Sequence, residues 1–168
     1  RLRVLNALDD SGIEAHAGQC AIAGANAIAE AAHKILELEK LKDHDGLTAS
    51  CDLIEGGSVI NTVAGHCRVG INIRFATNAQ LEWVKEHLQK LADTVYVEGC
   101  KTELIIGQFR PAMEWTQRNR DLLDQMNRCY EKCGLPVLST MIGIGGSDAA
   151  EITVSGTPCI DSIGVEGG

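Results

Sequence analysis

Aromatic residues are scarce. Phenylalanine, tryptophan and tyrosine make up 4% of the 168 residues, so the core must be built from alanine, valine, isoleucine and leucine. The apolar share of 45% is enough for such a core. A surplus of positive charge is missing too: the formal net charge of −8 argues against a nucleic-acid backbone or an anionic membrane as partner, because either needs a basic face. There is no long apolar run, and the opening RLRVLNALDD has no signal-peptide pattern. The seven cysteines are odd in number and irregularly spaced, which points to reduced thiols and a cytoplasmic location rather than a disulfide framework. HxD, HExxH and paired CxxC motifs are absent. Cys129 and Cys133 have no second pair to complete a tetrahedral site, so no metal is expected in this chain alone.

What is present is a strand of near-perfect alternation. In GGSVINTVAGHCRVGINIRF, residues 56 to 75, the apolar Cys67, Val69, Ile71, Ile73 and Phe75 alternate with Arg68, Gly70, Asn72 and Arg74. A period of two puts the first set on a buried face and the second on the opposite one. Leu47, Ala49, Cys51 and Leu53 alternate in the same way, and Gly56-Gly57 follows, which predicts a second strand paired with the first. The loop between the two carries Asn61, and Arg74 lies near the far end of the second.

Around this pair, Leu2, Val4 and Ala7-Leu8 predict a first strand that ends in the turn signal Asp9-Asp10-Ser11-Gly12. A helix is expected from Ala21 to about Leu41, with Ala21, Ala25, Ile28, Ala32, Ile35 and Leu38 inward and Glu30, Lys34 and Glu37 as the opposite stripe. Thr77 and Gln80 have the spacing of a capping box before a second helix carrying Leu81, Val84, Leu88, Leu91 and Ala92. A final strand is expected at Thr102 to Phe109. The order strand, helix, strand, strand, helix, strand is the ferredoxin-like split βαβ pattern: an α+β fold with a four-stranded antiparallel sheet and both helices on one face.

After Arg110-Pro111 a third helix is expected, with Leu122, Met126, Cys129 and Cys133 at helical spacing. The glycine-rich MIGIGGSDAA leads to a short helical stretch, and Cys159 to Ile163 reads as a last strand before GVEGG. These residues bury little core alone, so the segment reads as an incomplete α/β piece of something longer.

Three features carry candidate chemistry. His16, between glycines and alanines in GIEAHAG, can present a neutral imidazole that donates to a developing oxyanion; it can equally be a plain loop residue. In GGSD, residues 145 to 148, the glycines allow close backbone approach, and Ser147 or Asp148 can cap the following helix; an ordinary loop and cap explains it as well. Arg74 can clamp a carboxylate bidentately or simply be a solvated strand charge.

Together the segments GIEAHAG with GANAI, GGSVINTVAG, INIRFAT and GIGGSDAAEITVSGTPCIDSIGVEGG resemble the M20 family of metallopeptidases and amidohydrolases, in the family's order and over nearly the whole chain. The glutamate carboxypeptidase-like branch is the most similar. The resemblance implies a ferredoxin-like lid and dimerisation domain at residues 1–112, and at 113–168 the return into a catalytic domain carrying two zinc ions, or cobalt or manganese, in the full-length protein. It implies a homodimer through the lid and a small peptide or N-acyl amino acid substrate, hydrolysed at an amide next to a free carboxylate. His16 resembles the lid histidine that stabilises the oxyanion in the partner subunit's site. Asn61 resembles the asparagine of a substrate-side loop, Arg74 the arginine that grips the substrate carboxylate, and Gly145, Gly146 and Ser147 the loop lining the same pocket. Ala64 replaces the family's motif proline, and Asn72 an acidic residue two before the arginine.

Read without the resemblance, the chain is a non-catalytic ferredoxin-like dimerisation or small-ligand-binding module, or a carboxylate sensor built on Arg74 and the GGSD helix end.

Overall fold

The computed structural model describes residues 4–18, 21–41, 46–107, 109–141 and 146–164. Strands β1 (Val4–Ser11), β2 (Thr48–Gly56), β3 (His66–Arg74) and β4 (Lys101–Ile105) form one antiparallel sheet in the order β2-β3-β1-β4. Helices α1 (Ala27–Leu38) and α2 (Asn78–Asp93) pack on the same face of it. Cys67, Val69, Ile71 and Ile73 are fully buried there against Ala27, Ala31 and Leu38 of α1 and Val84 and Leu88 of α2. The alternation of β3 therefore sets the core face, and the α+β split βαβ architecture is the one expected. The capping box forms as well: the Thr77 hydroxyl accepts from Gln80 N at 3.1 Å, and Gln80 Oε1 accepts from Thr77 N at 3.1 Å.

Several details differ from the sequence reading. Asp9, Asp10 and Ser11 are not a turn. They continue β1, with Asp10 opposite Cys67 and Thr102, and the buried Asp10 carboxylate accepts a hydrogen bond from the Thr102 hydroxyl. The long first helix is shorter at both ends: Ala21–Ala23 is a separate 3-10 turn, and α1 begins after Asn26, whose Oδ1 accepts from Ile28 N at 3.0 Å and Ala29 N at 3.2 Å. Its inward face is also not the expected one, since Glu30 and Lys34 are buried and Ile28 and Ala32 are exposed. In β2 a register shift between Cys51 and Leu53 inserts one residue, which turns Leu53 onto the open face opposite Gly70 and leaves it 66% exposed. β4 stops at Ile105, four residues short of Phe109.

The buried charges on α1 have partners from three elements. Lys34 Nζ lies 2.9 Å from Glu30 Oε1 and donates to the carbonyls of Leu91, Ala92 and Thr94 and, at 2.6 Å, to Thr102 Oγ1. Those carbonyls close the C-terminal turn of α2, where a cation is favourable. Glu30 Oε2 accepts from Tyr96 N at 2.9 Å and Val97 N at 2.6 Å. One ion pair thus pins the α2–β4 connection to α1. Burial pushes the Asp10 carboxyl above the ordinary carboxylate range, opposed by the Thr102 hydrogen bond and by Lys34.

The remainder holds α3 (Gln117–Lys132) and α4 (Ala149–Val154). The fully buried Asn119 ties them together: Nδ2 donates to Glu114 O at 3.3 Å and Thr153 Oγ1 at 3.5 Å, and Oδ1 accepts from Cys159 N at 3.0 Å. The strand expected at Cys159 to Ile163 does not form among the described residues. Its first amide is taken by Asn119, and Ser162 has φ 60, which ends an extended run.

Candidate functional site

Two loops at one end of the sheet are knitted together by backbone bonds. Gly12 N donates to Gly65 O at 2.8 Å, Val63 N to Ala15 O at 2.8 Å and Ala17 N to Asn61 O at 2.9 Å, with His16 opposite Thr62. The start of α1 joins them, since Ala27 N donates to Ala64 O at 2.8 Å and Ile13 exchanges two bonds with Ala25. Only glycine fits at position 12, where a Cβ would stand 2.0 Å from Ala25 O. The result is that His16 and Asn61, expected as separate site residues, sit on paired segments with both side chains exposed. His16 Nδ1 accepts from Gly18 N at 3.2 Å.

Arg74 lies at the other end. Arg74 is eight steps along β3 from His66, about 26 Å at ~3.3 Å per step, so one chain does not bring His16 and Arg74 together. Arg74 is half-buried at the end of β3, opposite Thr48. Asn72, two residues earlier on the same face, has its Oδ1 buried with no hydrogen-bond partner among the described residues.

The Arg74 end of the sheet is also where the chain crosses to α3. Asn78, four residues on, accepts from Ala112 N at 2.8 Å and donates to Ala112 O at 3.3 Å through its side chain, and its own amide donates to Glu114 Oε1 at 2.8 Å. Arg110 Nη1 reaches Asp148 Oδ1 at 2.8 Å. Asp148 therefore engages the linker and makes no side-chain cap on α4. Ser147 does: its Oγ accepts from Ala149 N at 3.0 Å. The Ser147 hydroxyl and the Ser162 amide together hold the Asp161 carboxyl below its usual range, with Ser162 N 2.6 Å from Asp161 Oδ1. Gly146 is exposed. Gly145 lies outside the described residues.

Sequence reasoning missed Asp161, Asn78 and the Arg110–Asp148 pair. Their partners lie 14, 34 and 38 positions away, beyond the reach of local spacing. The other described histidines have partners of their own: His66 Nε2 lies 2.7 Å from Asp9 Oδ1, and His33 and His87 stack on Tyr96 and Trp83. His44 lies outside the described residues.

The peptidase dimerisation domain of the M20 peptidases matches residues 9–100. The chain belongs to the M20 peptidase family. His16, Asn61 and Arg74 fall inside the matched M20 stretch, and Ser147 falls outside it. Carboxypeptidase G2 from Pseudomonas sp. (strain RS-16) is 25% identical over 158 residues, which cover 94% of this chain and 38% of that protein. Among solved structures, a tripeptidase from Staphylococcus aureus has a TM-score of 0.75 at 24% identity, over 93% of this chain and 41% of its own. Aminopeptidase PepT from Bacillus cereus has a TM-score of 0.61 at 25% identity, over 94% and 42%. The chain thus spans about two fifths of the length of these M20 relatives.

M20 peptidases are generally metal-dependent. Among the described residues no three of His, Cys, Asp and Glu converge in a way that could hold a metal ion. No described helix is long and apolar enough to cross a membrane.

Proposed function

We propose that this chain is the dimerisation lid, residues 1–112, and the following catalytic-domain segment, residues 113–168, of an M20 hydrolase that cleaves an amide next to a free carboxylate. The substrate class is a small peptide or an N-acyl amino acid. The observation that carries the reading is the paired presentation of exposed His16 and Asn61 within the family-matched stretch.

In this reading His16 donates a hydrogen bond to the oxygen that becomes negative as the amide is attacked, and Asn61 orients the same group. Arg74 holds the free carboxylate, and Gly145, Gly146 and Ser147 line the pocket. The metal ions, zinc or alternatively cobalt or manganese, are held by residues of the enzyme outside these 168. Because His16 and Arg74 stand at opposite ends of one sheet, the two serve one substrate only across a homodimer. Pairing through β2 is supported by its position as an edge strand with Leu53 and Ile54 exposed. A cytoplasmic location is in keeping with seven cysteines at irregular spacings.

Replacing His16 by alanine in the full-length enzyme tests this. Turnover of an N-acyl glutamate should fall roughly 100-fold or more with metal content unchanged. A variant that turns over at the parent rate would remove His16 from the mechanism.

A further inference from the structure

His16 reaches the surface with one ring nitrogen already engaged. Its Nδ1 accepts the main-chain N–H of Gly18 at 3.2 Å. A ring nitrogen that accepts an amide proton carries none of its own, so in the neutral imidazole the proton sits on Nε2. The reverse tautomer would set two N–H groups against each other at Nδ1 and turn a lone pair outward from Nε2.

The backbone makes this contact reproducible. Residues 15 to 17 are tied to residues 61 to 63 by the bonds from Val63 N to Ala15 O and from Ala17 N to Asn61 O. The chain turns immediately afterwards, which brings the Gly18 amide back onto the ring two residues earlier.

We propose that the Gly18 main-chain amide is a positioning group for His16, fixing the ring orientation and its Nε2–H tautomer so that the exposed edge is a hydrogen-bond donor. The proposal rests on the reading of His16 as a donor to substrate, and it gives that reading a cause within the lid itself. It also restricts the role: with Nδ1 occupied and Nε2 protonated, the ring stabilises charge by hydrogen bonding and does not accept a proton from a nucleophile. Position 18 tolerates a small side chain, since a Cβ there would lie 3.4 Å from His16 Cε1 and 3.6 Å from Nδ1. Gly18→Ala keeps the amide donor; Gly18→Pro removes it.

The test has a spectroscopic arm and a kinetic arm. In this chain labelled with nitrogen-15, a nitrogen–nitrogen coupling across the hydrogen bond should connect the Gly18 amide to His16 Nδ1 at mildly alkaline pH, with Nε2 in the protonated range. In the full-length enzyme, Gly18→Pro should lower kcat about tenfold, the effect of losing one orienting hydrogen bond, and Gly18→Ala should retain it. A wild-type protein without the coupling, or a Gly18→Pro enzyme as fast as Gly18→Ala, would overturn the proposal. The coupling alongside a His16→Ala enzyme of undiminished rate would instead overturn the role of His16 in substrate binding.

Discussion

Lys34 and Glu30 stand one helical turn apart on α1, close to 2.9 Å, and keep both side chains out of solvent. A buried pair of this kind is costly to form and more costly to halve. Lys34→Met leaves Glu30 charged and unpaired and strips the end of α2 of its cation. It should lower unfolding stability by ~3–5 kcal/mol, read as a drop in the urea midpoint. A change below ~1 kcal/mol would mean the pair is solvated.

Asp10 makes stability depend on pH in a definite direction. Burial raises its folded-state value above the 3.8 of the free side chain, so the folded protein binds this proton more tightly than the unfolded chain. The stabilisation from Asp10 is complete below the unfolded value and is lost as pH rises through the raised one. Groups facing it are Lys34 and Glu30 from α1, Thr102 from β4 and Asp9 from its own strand. Asp10→Asn should remove this component, so the difference in stability between wild type and variant, followed by urea titration from acid to neutral pH, shifts in favour of the variant as pH rises. A difference that stays constant with pH would contradict it.

Asn78, the first residue of α2, holds the segment after β4 by two reciprocal bonds with Ala112. Asn78→Ala should cost ~1–3 kcal/mol and speed hydrogen exchange at the Ala112 amide specifically. Unchanged protection of that amide would show that the anchor lies elsewhere.

Edge strand β2 exposes Leu53 because of its bulge. Leu53→Asp should weaken self-association at least tenfold in sedimentation or light scattering and leave the circular dichroism spectrum intact. A dimer that persists unchanged would move the interface off this edge.

Much of the fold was readable in the sequence. The alternation in β3 named its buried residues, and Thr77 with Gln80 named the start of α2, because both are properties of a few consecutive residues. The inner face of α1 was not readable. Glu30 and Lys34 look like a solvated i,i+4 pair until the amides of Tyr96 and Val97 and the carbonyls of Leu91, Ala92 and Thr94, some sixty positions on, are brought to them. Asp10 was misread for the same reason, since its partner Thr102 lies 92 residues away. Leu53 was misplaced by a bulge that has no signature in a run of alternating residues. Of the site residues, the motifs pointed to His16 and Asn61 separately. Only the bridge between residues 15–17 and 61–63 shows them as one unit.

The span of β3 has a genetic consequence. With roughly 26 Å between its ends, the sheet is too long for one subunit's His16 and Arg74 to meet over one small substrate. In the proposed dimer each site is a joint possession, and two defective alleles can then complement. A subunit lacking His16 and a subunit lacking Arg74, each inactive with itself, would together rebuild one of the two sites.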